Sequence, residues 1–158
     1  MKKTLTTQSQ VIGLAFAECE YMPATAVSEA EIAVDEERCI VPDTGRALYE
    51  KMLAGSYAEL RDEYAVPTAA IFTRVGMPPL IDVRSGRFGT VAPRHEYGEP
   101  ADRERILDLR RSLLRKGRTL QRRMSDFLER NAADYPEYDP RENILNRCST
   151  DGGLVQIF

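Results

Sequence analysis

The sequence predicts a mainly α, compact helical domain built on one long helix at about 100–131, with a small β-hairpin at about 80–91 and a C-terminal strand. Three observations predict it. Apolar residues recur at helical spacing without a break from residue 100 to 131. Helix-start signals precede the apolar segments of the first half: Thr7 with Gln10, Ser28 with Glu31, and Ser56 with Glu59. Near residue 80 the pattern changes to β-branched residues on either side of Arg84-Ser85-Gly86-Arg87. The 158 residues suffice for one domain, 1–158, with a real core.

The long segment sets the plan. Ile106, Leu109, Leu113, Leu120, Met124 and Phe127 close one stripe of a 3.6-residue helix, flanked by Leu107, Leu114 and Leu128. Gly117 falls inside that stripe, where a missing side chain lets another element come close. Arg111, Arg115, Arg118 and Arg122 fall on the opposite side at offsets of three and four. The helix thus has a dry face and a basic face, and the earlier helices are expected to gather on the dry one.

In chain order, the Thr7–Gln10 box starts a helix over about 8–18 that carries Val11, Ile12, Leu14, Ala15 and Phe16. Ser28 with Glu31 opens a second, with Ile32, Cys39 and Ile40 on one face and Pro42 to stop it. Asp43 is placed to cap a third helix carrying Leu48, Tyr49, Met52 and Leu53, which Gly55 ends. Ser56 and Glu59 start a fourth that buries Tyr57, Leu60 and Tyr64, and Pro67 is a break or a first helical position. Ala69 to Val75 read as helix rather than strand. The stretch 134–143, rich in proline and acids, reads as a linker or an ordered loop. Leu154, Val155, Ile157 and Phe158 form an apolar terminal strand that needs a partner, internal or external.

Charge is unevenly placed. The net charge of −3 argues against a chain whose main work is coating nucleic acid. Residues 1–70 hold 6 basic against 12 acidic residues, whereas 100–131 hold 10 against 5. Fields of opposite sign can face each other within the fold or between subunits. Cys19, Cys39 and Cys148 are odd in number and far apart, which encodes neither a disulfide framework nor a zinc site and suits a reducing cytoplasm. No segment has the apolar length of a membrane span, and the amino terminus lacks a signal-peptide cleavage pattern.

Chemistry-bearing residues are sparse. His95 is the sole histidine and sits in a loop beside Arg94 and Glu96, outside any triad or ligand pattern. The run Asp35-Glu36-Glu37 reads as a charged solvent face rather than a metal cluster. Tyr49, Tyr57, Tyr64 and Phe72 read as core. No catalytic, cofactor-binding or metal-binding residue is expected, and the chain is not expected to be an enzyme. Candidate partner-binding residues are Arg111, Arg115, Arg118 and Arg122, with Leu154, Val155, Ile157 and Phe158. The arginines read either as a solvated face tied to Glu104, Asp108, Asp126 and Glu129, or as a surface for phosphates or an acidic protein. No aromatics are interleaved with them, which weakens a single-strand reading.

The order of the parts carries a resemblance. A helix with VIGLAF, then EERCIVPDTG, RALYEKMLAGSYAELRDEYAVPTAA, a small hairpin, a long charged helix, and YPEYDP before GGLVQIF together resemble the small head–tail connector (neck adaptor) proteins of tailed bacteriophages and prophages. Ile40 and Pro42 before Gly45, Leu48-Tyr49, Tyr57, Tyr64 and Pro67 carry most of it. Cys39 stands where an aromatic is usual, and Asp43-Thr44 replace apolar residues. The resemblance implies a helical structural subunit without enzymatic activity. Such a subunit forms a homo-oligomeric ring under the portal and docks the next neck or tail component. It also implies a location in the host cytoplasm and then in the virion neck. The arginine face would then meet the adjacent subunit or, non-specifically, DNA in the channel. The alternative is a helical nucleic-acid-binding or regulatory protein using the same arginines.

Overall fold

The computed structural model describes residues 4–17, 20, 22–77, 84–86, 89–91 and 102–146, with backbone alone at 84–86 and 89–91. Helix α1 (Gln8–Ala15) starts as expected. The Thr7 hydroxyl accepts from the Gln10 N–H at 3.3 Å, and the Gln10 side chain accepts from the Thr7 N–H at 2.9 Å. It stops three residues earlier than predicted, because Phe16 turns extended and slides under the Arg74 guanidinium, 4.4 Å from its ring centre. Arg74 also donates to the Ala15 carbonyl, one of the acceptors that a helix end leaves unpaired.

Helix α2 (Glu29–Cys39) begins at Ser28, whose hydroxyl accepts from Ala30 at 3.2 Å. That bond engages the second helical residue rather than the third, so the expected box with Glu31 does not form. Pro42 does not merely stop α2. It lies in the first turn of a four-residue helix, α3 (Val41–Thr44), where its missing N–H costs nothing. Asp43 is therefore inside a turn and is not the expected cap of α4 (Arg46–Leu53); Gly45, at φ +79°, holds that position. The end of α4 matches expectation: Gly55 at φ +99° donates to Met52, and Ser56 donates to Lys51, both at 3.0 Å.

The predicted start at Ser56 and Glu59 is replaced by Tyr57, which takes a left-handed φ of +56°. A π-helical turn (Leu60–Ala65) follows and runs without interruption into α5 (Val66–Gly76). Pro67 thus breaks nothing. It cannot donate to the carbonyl four residues back, and the wider turn removes the clash of its ring with that carbonyl. The Thr68 hydroxyl satisfies the Tyr64 carbonyl at 2.7 Å.

Helix α5 is the hub of the body. It packs against α1 and α2 on one side and against α6 (Arg103–Arg130) on the other. Val66 and Ala69 join a cluster with Ile40, Leu48, Met52, Leu60, Met124 and Leu128, while Ala70 and Ile71 join a second with Val11, Val27 and Ile32. Small residues at 69 and 70 allow this two-sided approach. The stripe of α6 meets α3 and the Leu60–Ala65 turn directly and shares a cluster with Leu48 and Met52 of α4, as expected, while α1 and α2 pack on α5.

The crossing of α5 and α6 lies at Gly117, as the stripe implied. A Cβ there would sit 3.0 Å from the Phe72 ring. Leu113, Met124 and Leu128 are buried on α6, but Leu107 and Leu109 are 37% and 45% exposed, because the first turns of α6 reach past the body. After α6, residues 132–146 form an ordered loop. Tyr135 and Tyr138 enter the core, and Asn143 donates to Ser125 at 2.7 Å and to Tyr138 at 2.8 Å. Two backbone segments, Arg84–Gly86 and Gly89–Val91, pair antiparallel with Ser85 opposite Thr90. The rest of the expected 80–91 hairpin, and the whole C-terminal strand, lie outside the described residues.

Candidate interaction surface

Helix α6 is positioned at both ends and in the middle. Asp102 caps it by accepting from Arg105 at 2.8 Å. Gly117 seats it on Phe72, and Phe127 stacks on Tyr64 with ring centres 4.4 Å apart. With that face fixed inward, Arg111, Arg115, Arg118 and Arg122 all lie exposed on the far side. Arg111 donates to Asp108 at 2.9 Å. Among the described residues, Arg115, Arg118 and Arg122 make no ion pair, so the expected ties to Asp126 and Glu129 do not form. Arg115, Arg118 and Arg122 thus form an exposed basic surface without an ion pair among the described residues.

Leu154, Val155, Ile157 and Phe158 lie outside the described residues, as does His95. Exposed apolar side chains elsewhere are scattered: Leu14, Val34, Ile144 and Leu145 join Leu107 and Leu109.

The acidic run of α2 departs from expectation. Asp35 and Glu36 are buried, and only Glu37 keeps contact with water, paired to Arg46. Glu36 is wholly enclosed. Its two oxygens accept from the backbone N–H of Leu5 at 3.0 Å, from that of Thr6 at 2.8 Å, and from the Tyr49 hydroxyl at 2.8 Å. The amino-terminal segment is thereby fastened to α2 and α4. Burial pushes the Asp35 carboxyl up to about 6, against a smaller opposing pull from Arg38. Asp43 is completely buried, and neither of its oxygens has a hydrogen-bond partner in strict geometry. Burial raises it to about 7, and the Gln121 amide draws it part of the way back. The Cys39 thiol between them is raised to about 12 by burial and by Asp35, which makes it inert as a nucleophile.

A sequence signal for this buried corner existed. Ile32 and Cys39 lie on one face of α2, and Asp35 and Glu36 stand three and four residues after Ile32, inside that same face. Among the described residues, no three acidic, cysteine or histidine side chains converge as a metal site, and no helix is long and apolar enough to cross a membrane.

The chain belongs to DUF6712, a family of unknown function, whose model matches residues 37–147. That span holds α3 to α6, the arginine row and the Asp43 corner. No curated protein and no solved structure matches the chain significantly.

Proposed function

We propose that this member of DUF6712 is a structural subunit of a phage or prophage neck, forming a ring under the portal and docking the next neck or tail component. The observation that carries the reading is the arginine row: Arg115, Arg118 and Arg122 are held outward by the Gly117 seat and have no acidic partner among the described residues. A surface so fixed suits assembly. The residues that carry the resemblance also cooperate physically, since Ile40, Leu48, Tyr49, Tyr57 and Tyr64 all belong to or border the larger core cluster. In this reading the terminal Leu154, Val155, Ile157 and Phe158 pair with the 80–91 hairpin or with a neighbour's sheet edge. The site of action is the host cytoplasm and then the virion neck.

The test is co-expression with a portal protein of the same phage or prophage, followed by affinity capture and negative-stain microscopy. A ring stacked on the portal is the expected result. Two folded proteins that never associate would sink the proposal. Steeply salt-dependent DNA binding by the isolated chain, without portal association, would assign the row to phosphates instead.

A further inference from the structure

The partner of the arginine row has a candidate within the chain's own surface. Glu59 and Glu63 are exposed at the start of the π-helical turn, one turn apart, and neither forms an ion pair or a hydrogen bond among the described residues. Neighbouring Asp62 is already engaged by Arg61 at 2.7 Å. Within one chain the two charged sets cannot meet. The π-helical turn touches α6 through Tyr64 on Phe127, and Gly117, Met124 and Leu128 mark the side of α6 that faces the body. The arginines occupy the other side.

We propose that Arg118 and Arg122 of one subunit bind Glu59 and Glu63 of a second copy of this chain, head to tail. This inference rests on the reading of the chain as a self-assembling structural subunit, and it names the contact. The spacing agrees on both sides. Arg118 and Arg122, four apart on an α-helix, lie about 6 Å apart along its axis, and Glu59 and Glu63 are also about one turn apart, so two long side chains on each side can pair one to one. Because the two surfaces differ and lie on different helices, a subunit that has engaged one of them keeps the other free. Such a contact propagates from subunit to subunit, and it closes into a ring where the rotation between neighbours closes. Charge complementarity across it fixes register and suppresses wrong pairings.

The experiment mixes two full-length variants. R118E/R122E carries acids in place of the row, and E59K/E63K carries lysines in place of the ridge. All four positions are exposed, and circular dichroism establishes that each variant is folded. Light scattering after size-exclusion chromatography at low salt is expected to show loss of the wild-type oligomer in each variant alone. The equimolar mixture is expected to regain it, since every interface in an alternating array again joins opposite charges. A mixture that stays dissociated while the wild type assembles overturns the contact and leaves the structural reading standing. A wild-type chain that neither self-associates nor docks on a portal overturns both. Phosphate recognition by the row predicts no recovery in the mixture, because the acidic ridge then has no part in it.

Discussion

Tyr49 donates its phenolic hydrogen to Glu36 at 2.8 Å in a place that water does not reach. That bond raises the tyrosine's pKa, after the larger effect of burial, and it joins the Leu5 and Thr6 donors around a carboxylate that forms no ion pair among the described residues. A hydrogen bond to a charged group is worth about 1.5–3 kcal/mol net. Tyr49→Phe is therefore expected to lower stability by about 2 kcal/mol in urea denaturation. Glu36→Gln should cost more, because its amide nitrogen would confront the N–H of Thr6 in one orientation and that of Leu5 in the other. Wild-type stability in Y49F would show that the backbone donors suffice.

The same pair shows what the sequence could and could not disclose. The Thr7–Gln10 cap, the Gly55 helix end and the Gly117 crossing were legible because each depends on residues within a few positions of one another or on one missing side chain. Glu36 was not. Its burial depends on Leu5 and Tyr49, about thirty and thirteen residues away, and no local pattern announces donors brought from there. The role of Asp43 was misplaced for a related reason: helix signals at 41–46 overlap, and tertiary packing chose a short turn there, whereas Pro67 stands in the first turn of α5, one of the two places its sequence offered. For the interaction surface, the row Arg111 to Arg122 was legible from period alone. That Arg115, Arg118 and Arg122 form no ion pair among the described residues was not, since that depends on which rotamers and neighbours the fold supplies.

Gly117 gives a test of the α5–α6 seat. Alanine there adds helix propensity of about 1 kcal/mol but places its methyl 3.0 Å from Phe72. Overpacking in a core costs about 1–3 kcal/mol, so G117A should be neutral to destabilising and G117V clearly destabilising, by about 2 kcal/mol or more. Shrinking the ring removes the conflict. In a Phe72→Leu background, G117A should stabilise relative to F72L alone; a loss of stability there would place the constraint elsewhere than the ring.

Exposure of the arginine row separates folding from assembly. Arg115→Glu with Arg118→Glu is expected to change unfolding free energy by about 0.5 kcal/mol or less, since exposed substitutions away from buried features rarely do more. The same pair should abolish ring formation or portal docking at ordinary salt. A large drop in thermal midpoint would mean that the row is structural after all.

Asp43 predicts an inverted pH dependence. Its folded pKa of about 7 lies above the ordinary aspartate value of 3.8, so the native state holds the proton more tightly than the unfolded chain. Stability from this group is fully present below the unfolded pKa, is lost as pH rises towards 7, and changes no further above it. Asp35, raised to about 6, adds a smaller loss over the lower part of that window. The slope reaches at most about 1.4 kcal/mol per pH unit for one group, a few kcal/mol across the range. Asp43→Asn cannot ionise, so its thermal midpoint should stay flatter between pH 4 and pH 8 and should exceed the wild type most at pH 8. Parallel profiles for the two proteins would show that Asp43 does not titrate in this window, and the burial of its carboxylate would then have to be relieved by a bound water or a shift of α3 towards solvent.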